Sequence, residues 1–231
     1  MLTTGIAARM RRAGALALAM ALLFAASALA QDPGEDRDAE LRIVGMVEPI
    51  RLDPSIRLDM RYATANNFTG VQVYPSGRCY LREDIAKRLV AANRALRLKG
   101  LGLKLYDCYR PFSVQEAFWR IMPDERYVLE PRRENGVMVK SSRHNRGAAV
   151  DATLVDRKGR ELPMPTEFDD FSEKAHRGSK AASPEARRNS AVLERAMAEQ
   201  GFVGLPTEWW HFDGPGWEAY EPLDLPLPEE K

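Results

Sequence analysis

Histidine is scarce in this chain, with three in 231 residues. Each one's surroundings therefore bear on function, because imidazole is the commonest metal ligand and the usual proton carrier near neutral pH. A basic excess is also missing. The chain has 34 Lys and Arg against 33 Asp and Glu, which excludes the electrostatic footprint of a nucleic-acid binder. There is no internal repeat. Cysteine is limited to Cys79 and Cys108. None follows directly after residue 30, where a bacterial lipoprotein would carry its lipid-bearing cysteine.

Arg9, Arg11 and Arg12 precede an apolar run from Ala13 to Ala30 that ends in Ala28-Leu29-Ala30. Basic head, apolar middle and small-residue exit predict a secretory signal peptide over residues 1–30. The competing reading is a membrane anchor, but the run only just reaches spanning length and its end looks cleavable. Cleavage leaves no membrane span. It removes three arginines and no acid, so the mature chain has 31 basic against 33 acidic residues. A periplasmic or secreted location follows. In that setting an even cysteine count suggests a Cys79–Cys108 disulfide; two buried free thiols are the alternative.

Residues 31–40 read as a loose polar tail, 41–221 as one domain and 222–231 as an extended Pro/Glu-rich tail. Leu41 to Val47 reads as a short strand and Leu58–Gly70 as a strand dissolving into a loop. Leu81, Ile85, Leu89, Ala92 and Leu96 recur at helical spacing. Leu101, Leu103 and Leu105 alternate as in a strand, and Ser113 with Glu116 forms a capping-box pattern. Met122–Lys140 reads as a long loop. "GAAVDATLVD" reads as a strand, Asp156–Gly159 as a hairpin turn, and Ser183-Pro184-Glu185 as a helix start. The fold class is α+β: a small, mainly antiparallel sheet flanked by helices.

Two motifs carry chemistry. In "SSRHNRGAAVDATLVD", Asp151 sits in an apolar strand, where an ionised carboxylate needs a partner. His144 lies seven residues earlier, and Gly147 frees the turn between them. In "EWWHFD", His211 supplies a second imidazole. Two His and one carboxylate make an open zinc site, and Glu208 remains as a proton acceptor. A histidine packed into the core beside two tryptophans is the competing reading of His211. On a regular strand Glu208 and His211 would face opposite ways, so the backbone at Glu208 is expected to be irregular.

These stretches resemble the zinc D-alanyl-D-alanine dipeptidases, the VanX-like group, whose pattern is Ser-x-His-x-x-Gly-x-x-x-Asp followed by Glu-x-x-His. Here the matching residues are Ser142, His144, Gly147 and Asp151, then Glu208 and His211. "RYATANNFTG", "YDCYRP" and "EFDDFSEKAH" are similar to further family segments. The resemblance implies that His144, Asp151 and His211 bind one zinc ion. It implies that Glu208 is the catalytic base and that Arg110 stabilises the reacting carbonyl oxygen. It places Ser142 and Asp169 in the substrate pocket. His176 falls in a family-like stretch and is given no ligand role. The activity implied is hydrolysis of a small D,D-dipeptide. A zinc D,D-carboxypeptidase acting on peptidoglycan stem peptides, or a noncatalytic zinc-binding cell-wall module, are the alternatives. Glu208 and Arg110 speak against the last, since metal binding alone requires neither.

Overall fold

From residue 33 the polar segment folds instead of trailing. In the computed structural model, which describes residues 33–230, α1 spans Pro33–Ile43. The predicted signal peptide, residues 1–30, lies outside the described residues. Leu41, expected to open a strand, is fully buried in α1. Asp38 anchors the helix by accepting hydrogen bonds from Arg78 (2.7 and 2.9 Å) and from the Tyr80 hydroxyl. A buried carboxylate is tolerated only with such partners.

Strand β1 (Met46–Val47), the short helix α2 (Pro49–Leu52) and β2 (Arg57–Leu58) follow. Then come β3 (Leu81–Arg82), α3 (Glu83–Leu98) and β4 (Leu101–Asp107). Helix α3 buries Ile85, Leu89, Ala92 and Leu96, the stripe expected from their spacing. Helix α4 (Phe112–Ile121) has no side-chain cap of its own. The predicted Ser113–Glu116 box does not form. Asp224, from the C-terminal segment, accepts the Ser113 N–H at 2.7 Å, and Glu116 pairs with Arg133 instead. An orphan helix N–H needs an acceptor from any source, and here it comes from 111 residues away.

The expected long loop contains a hairpin, β5 (Arg132–Glu134) and β6 (Val137–Lys140). Its turn is Asn135-Gly136, both at positive φ (49° and 83°). This dipeptide is the strongest short-range hairpin signal in a sequence, and it outweighs the lack of a clear period in the residues around it. Strand β7 (Ala149–Asp156), helix α5 (Pro184–Ala198, capped by Ser183), β8 (Val203–Gly204) and β9 (His211–Asp213) complete the fold. The main sheet has the order β2-β4-β7-β9-β8, with only β2–β4 parallel. The described residues thus form an α+β fold with a mainly antiparallel sheet. None of their helices is long and apolar enough to cross a membrane. Residues 222–230 form no regular element, yet they are pinned. Tyr109 Oη exchanges hydrogen bonds with Leu225 N and O, and Leu227 is buried.

Cys79 and Cys108 form a buried disulfide across 29 residues, joining the segment before β3 to the end of β4. Closing a loop of that length contributes about 3–4 kcal/mol on the chain-entropy account. Replacing both cysteines by alanine should lower the urea midpoint accordingly. Reductant should bring the wild-type midpoint down to the variant's. Equal midpoints for the variant and the unreduced wild type would show that the bond contributes nothing.

Candidate metal centre

Asp151 lies in the middle of a row of residues that crosses the sheet. In register it faces Asp107 of β4 on one side and His211 of β9 on the other. Residues paired directly across strands share a face, so these three side chains project together. A register shift between Leu105 and Asp107 re-aims the end of β4.

His144 arrives from outside the sheet, on a 3-10 turn, His144–Arg146, just before β7. Gly147 ends that turn at φ 64°, in the left-handed region. A Cβ there would sit 2.5 Å from Met46 Cε, so the position favours glycine on two counts. The turn is tied to the Arg110 backbone in both directions. Arg110 N–H donates to His144 O (3.1 Å), and Asn145 Nδ2 donates to Arg110 O (2.9 Å). Asn145, which is fully buried, couples the His144 turn to the Arg110 segment and was not expected from the sequence.

Three atoms converge. His211 Nδ1 lies 3.0 Å from Asp151 Oδ1, His144 Nε2 lies 3.4 Å from the same oxygen, and the two nitrogens are 3.1 Å apart. All three residues are buried. The remaining ring nitrogens have their own partners: His144 Nδ1 faces the Cys108 carbonyl at 2.7 Å, and His211 Nε2 faces Asp213 Oδ1 at 2.8 Å. Both partners are acceptors, which assigns an N–H to those nitrogens and lets each converging nitrogen turn a lone pair to a metal once it gives up any proton it carries. Two imidazole lone pairs and a carboxylate oxygen in one buried cluster form the donor set of an open divalent-metal site. The residues fit such an ion.

The electrostatics point the same way. Burial works against ionisation of Asp151, but His144 and His211 outweigh it and hold the carboxyl well below the usual range. Burial disfavours a charged His211, yet Asp151 and Asp213 raise its pKa to about 10. A metal must displace that proton, so metal affinity rises with pH.

Glu208 precedes β9 in a stretch without regular structure, as the motif required. Freed from the strand's alternation, it lines the same cavity of about 360 Å³ as the three converging residues. Burial pushes its carboxyl up to about 7, against the pull of His211. Arg110, Ser142 and Asp169 line the cavity too. Arg110 is buried, with Nε and Nη2 on Asp107 Oδ2 (3.2 and 2.6 Å) and Nη1 on Gln115 (2.7 Å). Ser142 Oγ accepts the His144 N–H at 3.3 Å. Asp169 adopts φ 61°, unusual for a residue with a side chain, and receives the Tyr62 hydroxyl at 3.2 Å. Burial, then the charges of Asp151 and Glu208, push its carboxyl well above the usual range. Trp210 forms cavity wall, and Trp209 is core. His176 is half-buried and ends a 3-10 turn apart from the cluster.

Sequence reasoning missed the two outer partners. Asp213 had a signal, since it lies two residues beyond His211 on the same strand face. The Cys108 carbonyl had none, because any residue type presents one.

The profile of a family described as D-Ala-D-Ala dipeptidase, peptidase family M15, matches residues 42–225. Among curated proteins, the chain is 36% identical over 167 residues to the D-alanyl-D-alanine dipeptidase of Escherichia coli K12, covering 72% of this chain and 83% of that one. It is 32% identical to the protein of the same name from Enterococcus faecium, covering 68% and 85%. For the Enterococcus faecalis protein of that name the identity is 31%, covering 75% and 89%.

Proposed function

The chain belongs to the D-Ala-D-Ala dipeptidase family, peptidase family M15, and from that premise we propose that it is an exported zinc enzyme that hydrolyses D-alanyl-D-alanine to D-alanine. The observation that carries the reading is the meeting of His144, Asp151 and His211 in a cavity also lined by Glu208 and Arg110. Nitrogen and oxygen donors together with hydrolytic chemistry favour zinc. The basic-apolar-small pattern of residues 1–30 and the disulfide both suit export.

His144, Asp151 and His211 would hold the ion, with the Cys108 carbonyl and Asp213 orienting the two rings. When bound, zinc supplies Lewis-acid polarisation of the scissile carbonyl and lowers the pKa of a coordinated water toward about 7. Glu208 takes a proton from the attacking water and passes it to the departing amine. Arg110 has N–H groups beyond those spent on Asp107 and Gln115, and it lines the cavity. These donors stabilise the negative charge that builds on the carbonyl oxygen. Asp169, held by the Tyr62 hydroxyl, is kept neutral by burial and by the nearby Asp151 and Glu208, and would ionise as the seat of the substrate's ammonium group when that cation enters. Ser142 contributes a hydroxyl to the same pocket.

The test uses the mature protein, stripped of metal by a chelator and then resupplied with zinc. D-Ala-D-Ala hydrolysis should vanish and return, read as released D-alanine, and a stem pentapeptide should be a poor substrate. A folded, zinc-loaded protein that leaves the dipeptide intact but trims the pentapeptide would replace this reading with a carboxypeptidase.

A further inference from the structure

Glu208 stands outside the strand pairing that fixes the metal-binding residues. His211 is held by register with Asp151, and the Trp210 carbonyl accepts the Ala152 N–H at 3.0 Å. No such ladder reaches Glu208. Two long backbone bonds close its turn, Leu205 N–H to His211 O (3.4 Å) and Glu208 N–H to Leu205 O (3.3 Å), and residues 175–177 hold it from behind. Trp209 N–H donates to Ala175 O (3.1 Å), and Arg177 N–H donates to Pro206 O (2.9 Å). The Arg177 side chain adds two more bonds, Nε to Leu205 O (3.0 Å) and Nη2 to His211 O (2.7 Å). Those carbonyls lie three residues before and three residues after Glu208. One planar guanidinium thus spans the base of the turn that carries it.

The seat for this guanidinium is made by Gly204. A Cβ at 204 would lie 2.3 Å from Arg177 Cζ and Nε and 2.5 Å from Nη2. The guanidinium also lies over the ring of Phe212, the residue paired with Gly204, 4.5 Å from its centroid. For stability alone the arrangement is a poor one. The arginine side chain is 10% exposed, its nearest carboxylate, Glu194, is 3.9 Å away, and Nη1 is buried without a hydrogen-bond partner. Burying a loosely paired charge is costly, so the feature calls for another reason.

We propose that Arg177 is a positioning residue for Glu208: seated over Gly204, its fork locks the 205–211 turn so that the carboxylate faces the metal-binding cluster. The proposal rests on the reading of Glu208 as the base. Lysine cannot replace the fork, since a single ammonium does not match two carbonyls in a fixed plane. A second route to the same defect is Gly204→Ala, which displaces the guanidinium without touching its charge.

The experiment compares wild type, Arg177→Ala, Arg177→Lys, Gly204→Ala and Glu208→Ala. It measures amide hydrogen exchange, zinc affinity by chelator competition, and kcat and KM for D-Ala-D-Ala. Exchange in 205–210 should quicken by roughly tenfold or more in Arg177→Ala and Gly204→Ala, with 149–156 unchanged. In the same two variants kcat should fall by roughly 10- to 100-fold, as a displacement of about 1 Å can cause. KM and zinc affinity should stay within about threefold, and Arg177→Lys should recover only part of kcat. Unchanged exchange, or quicker exchange with wild-type kcat, overturns the proposal. So does a parallel loss of zinc affinity, which marks general damage to the site. Glu208→Ala reports on the premise separately: if it turns over like wild type, the base reading fails, and the positioning role falls with it. A wild type that leaves D-Ala-D-Ala intact fails the functional reading, while unchanged exchange in Arg177→Ala would still refute the clamp.

Discussion

Glu208→Ala should retain zinc and lose turnover. Glu208 is not among the three converging residues that could hold a metal, so metal content, measured on the purified variant, should match wild type. The kcat should fall by roughly 100- to 10,000-fold, the usual contribution of a positioned general base. Glu208→Gln should be as impaired, since it keeps the shape and cannot take the proton. The pH dependence has a definite sign. Only ionised Glu208 accepts a proton, and burial raises its pKa to about 7. The rate therefore falls as the pH drops and Glu208 takes up its proton. A bound cation favours the carboxylate and moves this acid limb below pH 7. The residual activity of Glu208→Ala should lack the limb. Wild-type turnover by the zinc-loaded variant would eliminate Glu208 as the base.

Arg110→Ala should damage stability and catalysis together. The side chain is buried, and its charge faces the fully buried Asp107 at 2.6 Å. Without it, Asp107 keeps the Tyr74 hydroxyl (2.7 Å) and the Cys108 N–H (2.8 Å) but loses its cation. A buried charge left that way costs about 3–5 kcal/mol, to be read from chemical denaturation. Loss of the donors to the reacting oxygen should lower kcat by roughly 100- to 1,000-fold. Arg110→Lys separates the two effects. It keeps a cation near Asp107 and should recover most of the stability. Turnover should remain low, because one ammonium cannot serve Asp107, Gln115 and the substrate oxygen at once. Wild-type kcat in a folded Arg110→Ala would remove this arginine from the chemistry.

Much of the site was legible in local sequence. His144, Gly147 and Asp151 sit close together in the chain, and their meeting needs only a turn and the start of a strand. Glu208 and His211 are three apart, and a strand's alternation forbids them a common face unless the backbone breaks, as it does. The helix at Pro184 announces itself through Ser183, and the strand at Leu101 through its alternating leucines, because caps and pleats are short-range. What only the tertiary structure decided is long-range. The row Asp107–Asp151–His211 depends on register between three strands far apart in sequence. Asp224 capping α4, the Cys108 carbonyl orienting His144 and the Arg177 fork gripping the Glu208 turn join groups 28 to 111 residues apart. Two of those three contacts use backbone carbonyls, which every residue type presents alike. The side chains name the chemistry, but a carbonyl's partner is chosen only when the chain has folded.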